Sequence, residues 1–308
     1  MGVYMKQCIG VFGSFLLLGA ALAGCSGNQS ELGSKDNPIK FFFLPSSDND
    51  VINSKAQLVK VALEAQTGLH FKVAIPASYI AVVEAFGTKR ADVATLNAFG
   101  YVLAHEKYGV EARLSGVRYG SDSYKAQIVA RSTSDINKVS DLAGKKFAFV
   151  DPASTSGYLM PMQLFKDNNI KPKETVFANK HDSVITMVYQ GRVDAGATFY
   201  TPPADGAIQD ARRLVKTQFP DVESKVKIVA LTDSIPNDPI VFRKDLPEAI
   251  KVKVMDALVA YIETPEGLKT MKELYGLTGL KVTTDQNYDV VRNMLVAQNK
   301  NADEFLKK

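Results

Sequence analysis

Two stretches of this chain, about one hundred residues apart, follow one plan, and that repetition constrains the fold more than any other feature. In the first, Tyr79 opens a helical pattern with Val82, Val83, Ala85 and Phe86 apolar, which breaks at Gly87 and leads into Ala91-Asp92-Val93-Ala94-Thr95. In the second, His181 opens a pattern with Val184, Ile185, Met187 and Val188 apolar, which breaks at Gly191 and leads into Val193-Asp194-Ala195-Gly196-Ala197-Thr198. Tyr79 to Asp92 and His181 to Asp194 are both separations of thirteen. A repeated unit of this size argues for two similar lobes rather than one large sheet.

The segments upstream agree. Ile39 to Leu44 and Lys146 to Val150 have almost no polar alternation, as expected for strands covered on both faces. Each ends in a Pro- and Ser-bearing loop that opens a helix: Pro45-Ser46-Ser47-Asp48 in one case, Asp151-Pro152-Ala153-Ser154-Thr155-Ser156-Gly157 in the other. The β-α-β order predicts an α/β fold in which each lobe is a mostly parallel sheet covered by helices. After Pro236 helical patterns dominate, starting at Asp245-Leu246-Pro247, at Thr264-Pro265-Glu266 with a capping Thr before a first-turn Pro, and near Gln286. They read as helices returning to the first lobe, with Ser123 to Ala130 and Lys227 to Phe242 as crossing segments. The expected division is 38–122 with 237–308 in lobe 1 and 123–236 in lobe 2. A chain of 308 residues can bury both cores, and the cleft between such lobes is a common small-molecule site.

The first residues read as targeting rather than fold. Lys6 supplies a positive start, Ile9 to Ala23 an apolar run too short and Gly-rich to span a bilayer comfortably, and Leu22-Ala23-Gly24-Cys25 resembles the lipobox of bacterial lipoproteins. Residues 1–24 are thus expected to be a signal peptide, Cys25 a lipid-bearing N-terminus that anchors the protein to a bacterial membrane, and 25–37 a flexible tether. A plain secretory signal with an incidental Cys is the alternative. Cys8 and Cys25 are the two cysteines, so the mature chain has no thiol for a nucleophile, a disulfide or a Cys-based metal site.

Charge excludes another class. The net charge of +4 falls to +3 without Lys6 and is scattered, with no basic run interleaved with aromatics, so nucleic acid is not an expected partner. Enzyme signatures are missing as well. The three His show no metal-binding spacing, Ser154 to Ser156 lack a nucleophile elbow, and Gly191-Arg192-Val193-Asp194 is not a phosphate loop. No catalytic residue, metal or cofactor is assigned.

Ser154-Thr155-Ser156-Gly157 is the strongest site candidate. It follows a buried strand and opens a helix, where unpaired N–H groups and the dipole attract an anion. Charge-assisted hydrogen bonds contribute about 1.5–3 kcal/mol each, and a micromolar ligand needs about 8 kcal/mol, so four or five donors suffice. A simple cap would need one hydroxyl; three in a row after Asp-Pro favour binding. Pro161 is out of place here, because just past a first turn it removes a backbone hydrogen bond or bends the helix. Asp92 and Asp194 read as structural, holding the turn before each strand.

The run Asp141-Leu142-Ala143-Gly144-Lys145-Lys146-Phe147-Ala148-Phe149-Val150-Asp151-Pro152-Ala153-Ser154-Thr155-Ser156-Gly157-Tyr158-Leu159-Met160-Pro161 resembles the hallmark segment of the phosphonate/phosphite/phosphate ABC-transporter substrate-binding family. Ile235-Pro236-Asn237-Asp238-Pro239 and Tyr288-Asp289 also look like that family, and the likeness extends from Ile39 to Arg292. The resemblance implies a two-lobe type II periplasmic-binding fold that closes on a small phosphorus oxyanion, works as a monomer and delivers its ligand to an ABC permease and its ATPase. Carried over by position, the oxyanion sits on Ser154, Thr155, Ser156 and the Gly157 amide. His181 matches a ligand-facing His, Tyr79 an aromatic of lobe 1, Tyr124 an aromatic of the first crossing and Asp238 an acid of the second. Taken alone, His181 equally ends a loop, most Tyr pack with a wetted tip, and Asp238 between Asn237 and Pro239 is most simply a turn residue. Shared placement at strand ends and crossings is what favours binding. Family members that take aminoalkylphosphonates carry a second carboxylate after the Asp194-type strand. Here Thr198-Phe199-Tyr200-Thr201 has none, which favours a smaller or neutral substituent. A sensor or surface lipoprotein, or an enzyme on the same fold, is the alternative role.

Overall fold

The computed structural model describes residues 1–2, 30–297 and 301–306. The expected signal peptide and Cys25 lie outside the described residues. In chain order, β1 (Ile39–Phe42), α1 (Asn49–Thr67), β2 (Phe71–Ala74), α2 (Tyr79–Gly87), β3 (Val93–Thr95), α3 (Ala98–Tyr108) and β4 (Glu111–Val117) come first. There follow β5 (Ser123–Arg131), β6 (Lys146–Phe149), α4 (Met160–Asp167), β7 (Glu174–Phe177), α5 (His181–Tyr189), β8 (Ala195–Tyr200), α6 (Val222–Lys225) and β9 (Val226–Pro236). The chain then forms β10 (Pro239–Phe242), α7 (Glu248–Glu263), α8 (Pro265–Tyr275), β11 (Gly279–Val282), α9 (Asp289–Ala297) and α10 (Ala302–Leu306).

The strands build two sheets, one in the order β11-β4-β10-β3-β1-β2 and one in the order β7-β6-β8-β5-β9. Each sheet with its helices is a lobe. The parallel pairing predicted from β-α-β order holds within β2-β1-β3 and β7-β6-β8. Both sheets are mixed rather than mostly parallel, because β10 enters the first antiparallel to β3 and β5 enters the second antiparallel to β8. Strands covered on both faces look alike in sequence whichever way they run. The long antiparallel pair β5 and β9 leads out of the second sheet at Ser123 and Pro236, which face each other.

The repeat survives in atomic detail. Asp92 Oδ2 accepts the Lys40 N–H at 2.9 Å, and Asp92 N–H returns a bond to Lys40 O at 2.9 Å. In the second lobe Asp194 Oδ2 accepts the Lys146 N–H at 2.8 Å, and Asp194 N–H bonds Lys146 O at 2.9 Å. Each Asp therefore pins the start of the strand it precedes to a central strand, which is a structural task. Local chemistry sets the helix starts: Asp48 caps α1, Ser78 caps α2, Asn97 caps α3, and Thr264 caps α8 beside Pro265.

Apolar burial covers both faces of each sheet. Ile39, Phe41 and Phe43 pack against α1, α7 and α8 on one side of the first sheet, and Phe147, Phe149 and Phe165 form the counterpart in the second. A third core runs across the two lobes, joining Tyr79, Val82 and Phe99 to Tyr124, Ala148 and Val150. Among the described residues no helix is long and apolar enough to cross a membrane.

Order begins earlier than the sequence predicted. Part of the expected tether is built into the first lobe: Gly33 O accepts the His70 N–H at 2.7 Å, Gly33 N–H bonds Asn37 O at 2.7 Å, and Leu32 packs on the core. Gly33 has φ +91° and a Cβ there would lie 2.7 Å from Leu69, so glycine is what lets this polar stretch turn and dock.

Candidate ligand site between the two sheets

The ends of β1, β3, β6 and β8 meet at a cleft, and the loops that follow them enclose a cavity of about 60 Å³. A water needs roughly 10–15 Å³ by the same measure, so this space suits about four to six waters or one small anionic ligand. The repeat places two helix starts in it. Tyr79 is the first residue of α2 and His181 the first of α5, and both side chains line the cavity. Tyr124, Ser154, Ser156 and Asp238 line it too, which brings six of the eight sequence-predicted ligand residues together.

Thr155 and Gly157 do other work. Thr155 Oγ1 donates to Asn97 Oδ1 at 2.7 Å and accepts the Phe99 N–H at 2.9 Å, joining the lobes behind the cavity. Gly157 N–H donates to Ser154 Oγ at 3.0 Å, and a Cβ on Gly157 would lie 2.4 Å from Val150. Glycine there permits close packing on β6 rather than approach of a ligand. The turn Thr155–Leu159 is wide, with Leu159 N–H reaching Ser154 O and Met160 N–H reaching Thr155 O, each five residues back. Widening turns successive side chains away from the positions of an α-helical start. It also delays α4, so Pro161 falls in a first turn, where its missing N–H removes nothing.

Several buried polar atoms at the cavity have no partner among the described residues: Tyr79 Oη, Asn97 Nδ2 and His181 Nδ1. Asn97 Oδ1 accepts from both Gly100 N–H and Thr155, which orients the amide and leaves its NH2 for the cavity. Buried polar groups are nearly always satisfied, so such a cluster marks where an acceptor-rich ligand fits. Burial holds the Tyr79 hydroxyl well above the usual phenol range, with Asp151 and Asp238 adding to the effect. Burial likewise pushes His181 down to about 3, Arg118 adding to it, so the imidazole is neutral.

Arg118 organises the crossings. Its Nη1 donates to Asn237 Oδ1 and its Nη2 to Asp238 Oδ2, both at 2.7 Å, and the guanidinium lies 4.9 Å over the Tyr124 ring. Tyr124 Oη donates to the other oxygen of Asp238 at 3.3 Å. Asn237 Nδ2 bonds Gly116 O and Ser121 O, tying the second crossing to the first. The lobes also meet where Tyr79 N–H donates to Asp151 Oδ2 at 3.4 Å and His181 N–H to Ser46 O at 3.1 Å.

Sequence reasoning missed Ser46, Ser47, Asn97, Arg118, Arg213 and Tyr275, all of which line the cavity. Ser46 and Ser47 carried a signal, since their loop repeats the one holding Ser154 and Ser156. The others carried none that local pattern reveals. Among the described residues no group of His, Cys, Asp and Glu is placed to hold a metal ion.

The comparisons with known proteins point one way. The chain is 28% identical over 241 residues to the phosphonates-binding periplasmic protein of Escherichia coli, covering 75% of this chain and 68% of that one. It is 32% identical over 201 residues to the phosphate-import protein PhnD of Mycolicibacterium smegmatis, covering 60% of this chain and 62% of the relative, less than two thirds of its length. Among solved structures, PhnD1 from Prochlorococcus marinus in complex with methylphosphonate superposes with a TM-score of 0.74 at 20% identity, over 85% of this chain and 98% of that one. A binding protein component of an ABC phosphonate transporter from Pseudomonas aeruginosa gives 0.75 at 21% identity, over 85% and 87%. These two share the fold. The family described as the phosphonate periplasmic substrate-binding protein of ABC transporters matches residues 41–288, and this chain belongs to it.

Proposed function

We propose that this protein is the substrate-binding component of an ABC importer, capturing a small phosphorus oxyanion in the cleft and delivering it to a membrane permease driven by an ATPase. The observation that carries this reading is the set of buried, unpartnered polar atoms of Tyr79, Asn97 and His181 beside Ser154 and Ser156, facing one small cavity between two lobes. Such a site holds an oxyanion by hydrogen bonds from neutral groups, with the starts of α2, α3 and α5 nearby adding favourable dipoles. Asp238 adds selectivity. A carboxylate has about four acceptor positions, and its bonds from Arg118 and Tyr124 leave some for a P–OH proton. Sulfate has no such proton at neutral pH and meets repulsion instead.

In this role residues 38–122 with 237–308 form one lobe and 123–236 the other, swinging about Arg118–Ser123 and Pro236–Asp238. The protein acts as an exported monomer tethered by lipid on Cys25, and it binds without catalysing a reaction. Calorimetry on the mature domain tests the ligand. Phosphate, phosphite or methylphosphonate is expected to bind at micromolar or tighter dissociation constant with sulfate at least a hundredfold weaker. Binding of sulfate as tightly as every phosphorus oxyanion, or binding of none of them, rules the reading out.

A further inference from the structure

One cation at the cavity is left over. Arg213 lies in the turn Ala211–Val215 of the second lobe and lines the cavity beside Leu214, Leu274 and Leu277. Its neighbour Arg212 takes both oxygens of Asp210 and the carbonyl of Val226, so the nearby carboxylate is already matched. Gln127 Nε2 also donates to Asp210. Arg118 is committed to Asn237 and Asp238. Arg213 forms no ion pair among the described residues, and its Nε is buried without a partner. Its Nη2 reaches across to the end of α8, where a Cβ on Gly276 would lie 3.3 Å away.

This guanidinium differs from the neutral donors in carrying a full charge. Burial is the main influence opposing its charge. An arginine stays charged even when burial opposes it. Leu214, Leu274 and Leu277 line the same cavity and suit a short hydrocarbon spacer.

We infer that Arg213 forms a second anion subsite in this cavity and that the ligand class it selects is a phosphonate whose short substituent ends in a carboxylate, as in phosphonoacetate. The inference rests on the phosphorus-oxyanion reading above: the phosphonate occupies the neutral donors of both lobes, the methylene lies against the leucines, and the carboxylate pairs with the guanidinium fork. Opposite charge at Arg213 is then satisfied by the ligand rather than by the protein.

The test is calorimetry of phosphonoacetate and methylphosphonate on the mature domain, in wild type, Arg213→Gln and Arg213→Lys, with thermal melts to check folding. Wild type should bind phosphonoacetate at least tenfold more tightly than methylphosphonate. Arg213→Gln should collapse that ratio towards one, and Arg213→Lys, which keeps the charge without the fork, should retain part of it. A wild-type ratio below twofold, or a ratio that persists in Arg213→Gln, overturns the subsite while leaving the oxyanion reading in place. Failure of wild type to bind either ligand overturns both.

Discussion

Thr155 Oγ1 donates a hydrogen bond to Asn97 Oδ1 at 2.7 Å across the cleft, and the same oxygen accepts the Phe99 N–H at 2.9 Å. The hydroxyl thus joins the turn after β6 in one lobe to the start of α3 in the other, and it is fully buried. Asn97 bonds Thr155 through its oxygen and presents its NH2 to the cavity, so one side chain serves both closure and ligand. A ligand that engages that NH2 acts on a residue already positioned by the contact between lobes. Closure and binding are then linked, because the ligand favours the arrangement in which its partners meet.

Thr155→Val keeps nearly the same volume and removes both bonds. Each buried group left without a partner costs about 1–3 kcal/mol, and opening the cleft relieves that by admitting water. Ligand affinity is therefore expected to fall about tenfold or more, while Thr155→Ser restores most of it. Scattering with saturating methylphosphonate should show the Val variant less compact than wild type. Wild-type affinity in Thr155→Val would mean that this contact has no part in closure.

His181 predicts a pH dependence with a definite sign. Its folded pKa is pushed down to about 3, by burial first and Arg118 second, from an ordinary value of 6.5. The folded chain therefore keeps the imidazole neutral where the unfolded chain takes up a proton. Stability from this group is complete above about pH 6.5 and is lost as pH falls through the window towards 3. At pH 5 the loss is about 2 kcal/mol. Urea unfolding at pH 7 and pH 5 should show wild type losing about that much more than His181→Gln, with the carboxylates common to both cancelling. Equal losses in the two proteins would contradict a neutral, buried His181.

The sequence disclosed what repeats and what lies close along the chain. Equal spacing placed Tyr79 and His181 at equivalent helix starts and marked Asp92 and Asp194 as structural, and a buried strand before Ser154 located the cavity wall. What stayed hidden depends on long-range register. Arg118 meets Asn237 and Asp238 because the two crossings lie side by side, and nothing within a few residues of Arg118 announces it. Thr155 turned to the other lobe because the backbone around it is wound wide, and Pro161 was the trace of that winding in the sequence. Arg213 is free to face the cavity because its neighbour Arg212 occupies Asp210, a division of labour that two adjacent arginines do not reveal.

The lipobox-like Leu22-Ala23-Gly24-Cys25 leads to a prediction about anchoring. Two or three acyl chains contribute about 0.8 kcal/mol for each buried CH2, enough to hold the protein on a membrane through salt washing. Cys25→Ser should release it in soluble or unprocessed form. Membrane fractionation after a high-salt wash reads the result, and a variant that stays with the membrane as wild type does would remove lipid from the account.

Aminoethylphosphonate should bind more weakly than methylphosphonate, phosphite or phosphate. An ammonium on the substituent needs a carboxylate, and Thr198-Phe199-Tyr200-Thr201 offers none. Asp238 is held by Arg118 at 2.7 Å, so pairing it with the ligand would leave that guanidinium in its buried setting with a weakened partner. Arg213 faces the same cavity without an ion pair among the described residues and repels a cation directly. Both effects act in one direction, and each is larger in an enclosed cleft than at a surface. The expected ratio against methylphosphonate is at least tenfold, about 1.4 kcal/mol, by calorimetry at neutral pH. Raising ionic strength should change that ratio little, because an enclosed cavity is screened less than exposed charges. An aminoethylphosphonate affinity tenfold above that of methylphosphonate would show that the cleft pairs an ammonium after all, with Asp238 as the acid to replace first.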